Sequence, residues 1–181
     1  MFSARNFIRS RIACSRFLSS QRYLAPYLRT VSSSTLPSEF RFIPDFLAED
    51  EQRTLLKFAL RKLDETGKRS LQRKRRSKGN YDTCDGSISD LFLPDEYYGF
   101  EEGHYDGVIV NYREMHATSW PEDPALISVL NRLYSLLPTI PKENVQAHIL
   151  HLASSGHILP HVDNLQASGS WIAAVSLGGG R

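Results

Sequence analysis

The sequence has few cysteines and no long apolar run. Its 181 residues include only Cys14 and Cys84, too few for a disulfide framework or a thiolate zinc site. No stretch reaches the roughly 18 consecutive apolar residues that a membrane-spanning helix needs. With 41% hydrophobic and 10% aromatic residues, the composition is that of a globular protein. The length allows one domain.

Acidic residues are missing from the first part of the chain. Residues 1–38 carry no acid and six arginines among serine, phenylalanine and leucine. This pattern predicts a mitochondrial transit peptide or disordered segment, recognised by the mitochondrial import machinery, and a location in the matrix. A disordered basic arm that contacts nucleic acid is the alternative. The remainder has 16 basic and 20 acidic residues, a net charge of −4.

Positive charge is concentrated in a second segment. Nine lysines and arginines lie between Arg61 and Lys78, and we predict a mobile basic loop over residues 64–90. Such a cluster is typical of a phosphate-binding patch, a nuclear signal or a solvated loop. From Gly79 onward there are 13 acids and four bases, which would repel a polyanion. Nucleic acid is therefore the less favoured partner.

Two helices and a strand are predicted from periodicity. Residues 48–63 place leucines on one stripe and three acids in the first turn, which favours a packing helix. A second leucine stripe follows Pro124 and stops at Pro138. Residues 107–112 predict a strand, and residues 80–99 have no clear period and predict a loop.

A histidine and an aspartate, His161 and Asp163, close the most informative stretch. Residues 145–153 predict a strand, residues 154–156 a turn, and residues 158–163 a second strand. On that second strand His161 and Asp163 would point the same way while Val162 packs inward. One imidazole and one carboxylate are two of the three ligands of the facial triad that binds ferrous iron.

Two other arrangements of histidines remain open at this point. His104 and Asp106 have the same spacing, and either pair could be a surface histidine beside a solvated aspartate. Context favours His161, because it follows an apolar strand and residues 171–177 predict a further strand beside it. Zinc bound by several of the histidines from His148 onward is disfavoured, because His148 and His151 would fall on opposite faces of a strand.

These segments together resemble the AlkB-like family of iron(II)- and 2-oxoglutarate-dependent dioxygenases, and within it a mitochondrial member. The similarity extends from about Arg41 to Leu177 and is most specific after Asn144. The residues that carry it are Phe46-Leu47, Tyr98-Gly99-Phe100, His104-Tyr105-Asp106, Tyr112-Arg113-Glu114, Trp120, Ile158 to Asp163 and Trp171 to Leu177.

The resemblance implies an α+β fold in which packing helices precede a double-stranded β-helix, a jelly roll of the cupin type. It makes His161 and Asp163 the first two iron(II) ligands, with 2-oxoglutarate as co-substrate, and assigns no metal to His104 and Asp106. It implies hydroxylation or demethylation of an unidentified protein or small molecule. The mitochondrial member is connected with programmed necrosis and energy metabolism.

The sequence departs from the family pattern at its end. The family's second iron-binding histidine and its 2-oxoglutarate-binding arginines come from later strands, and here no candidate follows Asp163 except Arg181. We therefore expect residues 39–181 to form the N-terminal part of an incomplete barrel that is catalytically incomplete, and identify no catalytic residue. The alternative is a non-catalytic mitochondrial interaction protein that retains the half-barrel.

Overall fold

The computed structural model describes residues 8–15, 41–78, 81, 87–137, 145–162 and 171–177. None of the helices in these ranges is long and apolar enough to cross a membrane. The elements, in chain order, are β1 (Ile8–Ser15), α1 (Glu49–Glu65), α2 (Arg69–Lys78), β2 (Glu101–Gly103), β3 (Ile109–Ala117), α3 (Pro124–Tyr134), β4 (Val145–Ile158) and β5 (Ile172–Leu177).

The described strands form one mixed sheet in the order β2-β3-β4-β1-β5. The first three are antiparallel, whereas β1 pairs in parallel with both β4 and β5. The α+β class is therefore confirmed, and the antiparallel part is compatible with a partial β-sandwich. The jelly roll itself stays a prediction.

Strand β1 is an element that the sequence analysis did not predict. Residues 1–38 were expected to be a transit peptide or disordered, yet Ile8–Ser15 lie in the middle of the sheet. Strand β5, expected beside the segment that carries His161, pairs with β1 and is separated from β4 by it. The physical reason is that unpaired strand edges expose backbone donors and acceptors, which an extended segment of the same chain satisfies. The targeting role stays a prediction.

Helix α1 forms as its leucine stripe predicts. It extends from Glu49 to Glu65, two residues beyond the predicted end, and the Glu51 carboxylate accepts a hydrogen bond of 2.8 Å from the Ala48 backbone N–H. Leu55, Leu56 and Leu60 are fully buried, in one cluster with leucines of α3. Each such burial contributes about 1.5–3 kcal/mol, so α1 and α3 are held to each other by their apolar faces.

Helix α3 also forms where its leucine stripe predicts it. It starts at Pro124, and the Asp123 carboxylate accepts a hydrogen bond of 3.0 Å from the Leu126 N–H, which satisfies one free donor of the first turn. It ends at Tyr134, before the predicted stop at Pro138, which lies outside the described residues.

The expectation of a loop over residues 64–90 is wrong for Arg69–Lys78, which form α2. Leu71 is the buried apolar residue of that helix. One buried leucine among many charged residues forms no periodic pattern from which the helix could be predicted. Residues 87–98 contain two 3-10 turns, Ile88–Leu91 and Asp95–Tyr97. Between them Phe92 and Leu93 are fully buried. A short buried run of this kind gives no periodic signal.

Strand β4 continues through the residues where a turn was predicted. Tyr112 faces Leu152 and Val110 faces His157, so the four residues 153–156 lie opposite Asn111 alone. This is a β-bulge. A Cβ added at Gly156 would lie 2.4 Å from the carbonyl oxygen of Asn111. The glycine thus marks a close approach of two strands, and the predicted turn is wrong.

Candidate functional site

His161 lies just beyond the end of β4. Residues 159–162 have no regular structure, so the strand predicted over 158–163 is wrong for these four residues. The Leu159 N–H donates to the Val108 carbonyl oxygen at 2.8 Å, which ties this segment to the start of β3. Val162 is 88% exposed rather than packed inward. The reason is that the chain leaves the sheet before the alternation of faces reaches it.

The ring of His161 is exposed and its orientation is set locally. Its Nδ1 lies 2.9 Å from the Leu159 carbonyl oxygen, and because a carbonyl only accepts, Nδ1 carries the hydrogen. In the neutral ring the lone pair is then on Nε2, the form suited to a metal. Asp163 lies outside the described residues, so the geometry of the pair stays a prediction.

The second histidine–aspartate pair stabilises a turn. His104 Nδ1 is 2.8 Å from Asp106 Oδ1, in the connection between β2 and β3, where Gly107 has a φ of +69°. The Asp106 carboxylate also accepts a hydrogen bond of 2.9 Å from the Val108 N–H. That hydrogen bond and the one from His104 hold the pKa of Asp106 below its usual value. These contacts give both His104 and Asp106 a structural role in the turn.

His148 and His151 lie on opposite faces of β4, as predicted. His148 stacks on His116 with ring centroids 4.6 Å apart, and its Nε2 is 2.8 Å from Glu114 Oε2. His151 packs on the other face, against the rings of Phe92, Tyr98 and Phe100.

The donors of the predicted iron site are only partly described. Within the described ranges no group of three or more histidine, cysteine, aspartate or glutamate side chains could hold a metal ion. His161 is one donor, so the described residues do not by themselves make up an iron site. No chemical step is assigned to iron on that basis.

An apolar cavity lies between α3 and the sheet. Its walls come from both sides, and it is lined by Trp120, Leu130, Leu133, Tyr134, Leu137, Ala147, Ala173 and Val175. A dicarboxylate such as 2-oxoglutarate needs charged or hydrogen-bonding partners, and this lining is nearly all hydrocarbon. The cavity therefore does not suit the expected co-substrate.

The sequence analysis missed a buried ionic cluster centred on Asp64, at the C-terminal end of α1. Its Oδ1 accepts a hydrogen bond of 2.7 Å from Arg113 Nη1, and its Oδ2 accepts one of 2.9 Å from Arg75 Nε. Tyr81 also donates its hydroxyl to Oδ2. Asp64 and Arg113 are each 8% exposed. One carboxylate thus links α1, α2 and β3.

Arg75 connects this cluster to the segment before β2. Its guanidinium donates to the Leu91 carbonyl oxygen at 2.7 Å and to the Tyr98 hydroxyl at 2.9 Å. Burial raises the pKa of the Tyr98 phenol, although Arg75 partly opposes it. Burial also opposes the charge on Arg75, but nearby Tyr98, Tyr81 and Asp64 outweigh it and raise the pKa of Arg75. Arg75 therefore stays charged.

Arg113 extends the cluster to β4. Its Nε donates to Nδ1 of His151 at 2.9 Å, so Nδ1 is unprotonated and the imidazole is neutral with its hydrogen on Nε2. Arg113 also lies over the Tyr98 ring, with its central carbon 4.2 Å from the centroid. The sequence did contain a signal for this cluster. Arg113 is a charged residue at a position of β3 that faces the same side of the sheet as the apolar residues Met115 and Ala117.

Comparison with known proteins gives one informative similarity. Over 86 residues the chain is 34% identical to the alpha-ketoglutarate-dependent dioxygenase alkB homolog 7, mitochondrial, of Bos taurus. The matched part covers 43% of this chain and 35% of the relative, about a third of its length. No known family model matches the chain, and no solved structure matches it. The similarity supports a relationship to the AlkB-like dioxygenases, the family that the sequence itself resembles.

Proposed function

We propose that this chain is a mitochondrial AlkB-like protein of the iron(II)- and 2-oxoglutarate-dependent dioxygenase type, with His161 and Asp163 as two of its iron ligands. The observation that carries the proposal is the 34% identity to a mitochondrial alpha-ketoglutarate-dependent dioxygenase. The His-x-Asp pair in residues 161–163 agrees with it. For this chain, the activity and the mitochondrial location of that relative are parts of the proposal.

The surroundings of His161 support a role as a ligand. It follows a strand whose residues 147–153 are all buried, and metal ligands are held most accurately by rigid elements. Its exposed ring is oriented by the contact between Nδ1 and the Leu159 carbonyl oxygen. An outer hydrogen bond of this kind commonly fixes the tautomer of a ligating histidine.

In this proposal Asp163 would add a carboxylate beside the imidazole, so that His161 and Asp163 would hold iron(II). Bound iron(II) would supply hydroxylation or demethylation chemistry in which dioxygen is the oxidant and 2-oxoglutarate, as co-substrate, is oxidised and decarboxylated to succinate. The roles of His161 and Asp163 are to bind and orient the metal, and the substrate is a protein or a small molecule.

The test is anaerobic titration of the chain with iron(II), followed by calorimetry, with and without 2-oxoglutarate. We expect binding to the unchanged chain and a large loss in His161→Ala and Asp163→Ala. His157→Ala is the matched control, because His157 is another exposed histidine near the end of β4, and it should bind as the unchanged chain does.

Three results would contradict all or part of the proposal. Equal iron binding by His161→Ala and by the control would assign the metal elsewhere. Absence of binding, together with a cellular phenotype that survives His161→Ala, would favour a non-catalytic mitochondrial interaction protein. If the chain binds iron but forms no succinate from 2-oxoglutarate, the assignment of the iron ligands would stand and the proposed dioxygenase activity would be rejected.

A further inference from the structure

Among the residues that the structure describes, helix α2 is held to the rest of the protein through one side. Leu71 is 1% exposed and packs with Leu93 and Tyr98. Arg75, four residues later and therefore on the same side, donates to Asp64, Leu91 and Tyr98. An apolar contact and three hydrogen bonds thus set the rotation of the helix about its axis, so its outer side is defined.

That outer side carries three arginines. At 100° per residue, Arg69, Arg73 and Arg76 lie opposite Leu71 and Arg75, and all three are exposed. The helix contains no acidic residue. We call these three residues the arginine stripe. It spans about 10 Å along the axis at 1.5 Å per residue.

The lysines of α2 have other contacts. The Lys74 ammonium lies 4.8 Å from the centroid of the Tyr97 ring. Lys78 Nζ donates to the carbonyl oxygens of Asp90 and Phe92, at 3.1 and 3.0 Å. The lysines therefore hold the helix against its neighbours, whereas the arginine stripe faces solvent.

Guanidinium groups bind phosphate through two parallel N–H donors, so phosphate-bearing ligands suit the stripe. Single-stranded nucleic acid also needs aromatic rings on which its bases stack. Here Tyr97 lies under Lys74, and Tyr81 and Tyr98 are buried. The acidic excess after Gly79 would also repel a long polyanion.

We propose that α2 is a docking surface for anionic phospholipid headgroups, through Arg69, Arg73 and Arg76. Separate headgroups diffuse within a membrane and can gather beneath three arginines. A helix whose outer side is entirely polar would stay at the headgroup level and bind by charge. This binding is independent of the iron site.

The test is sedimentation of the full chain with vesicles of phosphatidylcholine alone or with added phosphatidylglycerol. We expect binding only to the anionic vesicles and weakening with salt. The variant with Arg69→Gln, Arg73→Gln and Arg76→Gln should lose roughly a hundredfold in partition coefficient. Circular dichroism should show its helix content unchanged, since the stripe faces solvent.

A matched control removes the same charge elsewhere. Arg41→Gln, Arg53→Gln and Lys57→Gln together lower the net charge by as much but leave α2 intact, and should lose far less. Equal losses in the two triple variants would overturn the proposal, because net charge rather than α2 would then govern binding. Failure to bind anionic vesicles, with stripe-dependent binding to single-stranded RNA, would overturn it in favour of nucleic acid.

Discussion

Asp64 of α1 and Arg113 of β3 form a buried ion pair, with 2.7 Å between Arg113 Nη1 and Asp64 Oδ1. The two residues are 49 positions apart in the sequence. The same carboxylate binds Arg75 of α2. The pair therefore joins the first helix to the sheet and, through Arg75, the basic helix to both.

Removing Arg113 should destabilise the fold strongly. In Arg113→Met the Asp64 carboxylate keeps Arg75 but loses its second guanidinium, and His151 loses the donor to Nδ1. Loss of one partner of a buried pair costs about 3–5 kcal/mol, measured here as the free energy of unfolding in urea. Arg132→Met is the control, because its pair with Glu51 is exposed and should cost about 0–1 kcal/mol. Similar losses in both would show that the cluster has no special role.

Alkaline pH should weaken the folded state. Burial and the neighbouring Glu101 raise the pKa of Tyr112 to about 12, whereas an unfolded tyrosine ionises near pH 10. The contribution of Tyr112 is therefore complete below about pH 10 and is lost as pH rises to about 12. Urea midpoints across this range should fall, and Tyr112→Phe should make the fall less steep. An unchanged slope would show that this phenol is not responsible.

The bulge between β3 and β4 should not tolerate a side chain at Gly156. In Gly156→Ala the new methyl group would meet the Asn111 carbonyl oxygen and the backbone of Ala153, and we expect a loss of about 1–3 kcal/mol. Gly103→Ala is the matched change, since its nearest neighbour would be 3.9 Å away. Thermal melting of the two variants makes the comparison, and equal melting temperatures would contradict the close approach.

Proline in β1 should disrupt the sheet on both sides. Ile12 is paired with Ile149 of β4 and Val175 of β5, and proline cannot donate to a ladder from the centre of a sheet. Ile12→Pro should therefore speed amide hydrogen exchange along β5, with less effect in β3, which keeps its pairing with β4. Equal exchange rates along β5 in both forms would show that β1 does not hold this strand.

Sequence periodicity predicted the elements that have one apolar face. The leucine stripes of α1 and α3 are of this kind, because burial of one face repeats with the helix period. The strand predicted over residues 107–112 covers only the first part of β3, which extends from Ile109 to Ala117. Helix α2 has one buried leucine among many charges, and Phe92 and Leu93 are buried between two short 3-10 turns, so neither segment has a period to detect.

The candidate site was predictable only in part. His161 was found from its spacing to Asp163, but its exposure depends on β4 ending at Ile158, which the spacing does not encode. The cluster around Asp64 depends on contacts between residues as far apart as Asp64 and His151, linked through Arg113. Pairings of that range arise from tertiary packing, which a single sequence does not reveal.

The position of β1 restricts the order in which import and folding could occur. If residues 1–38 act as an import signal, the receptor must read Ile8–Ser15 as a free segment, but in the folded chain they lie between β4 and β5. Translocation would then have to precede closure of the sheet. After import, a peptidase that cuts beyond Ser15 would compete with folding of the chain. The faster of the two processes would decide whether β1 remains between β4 and β5.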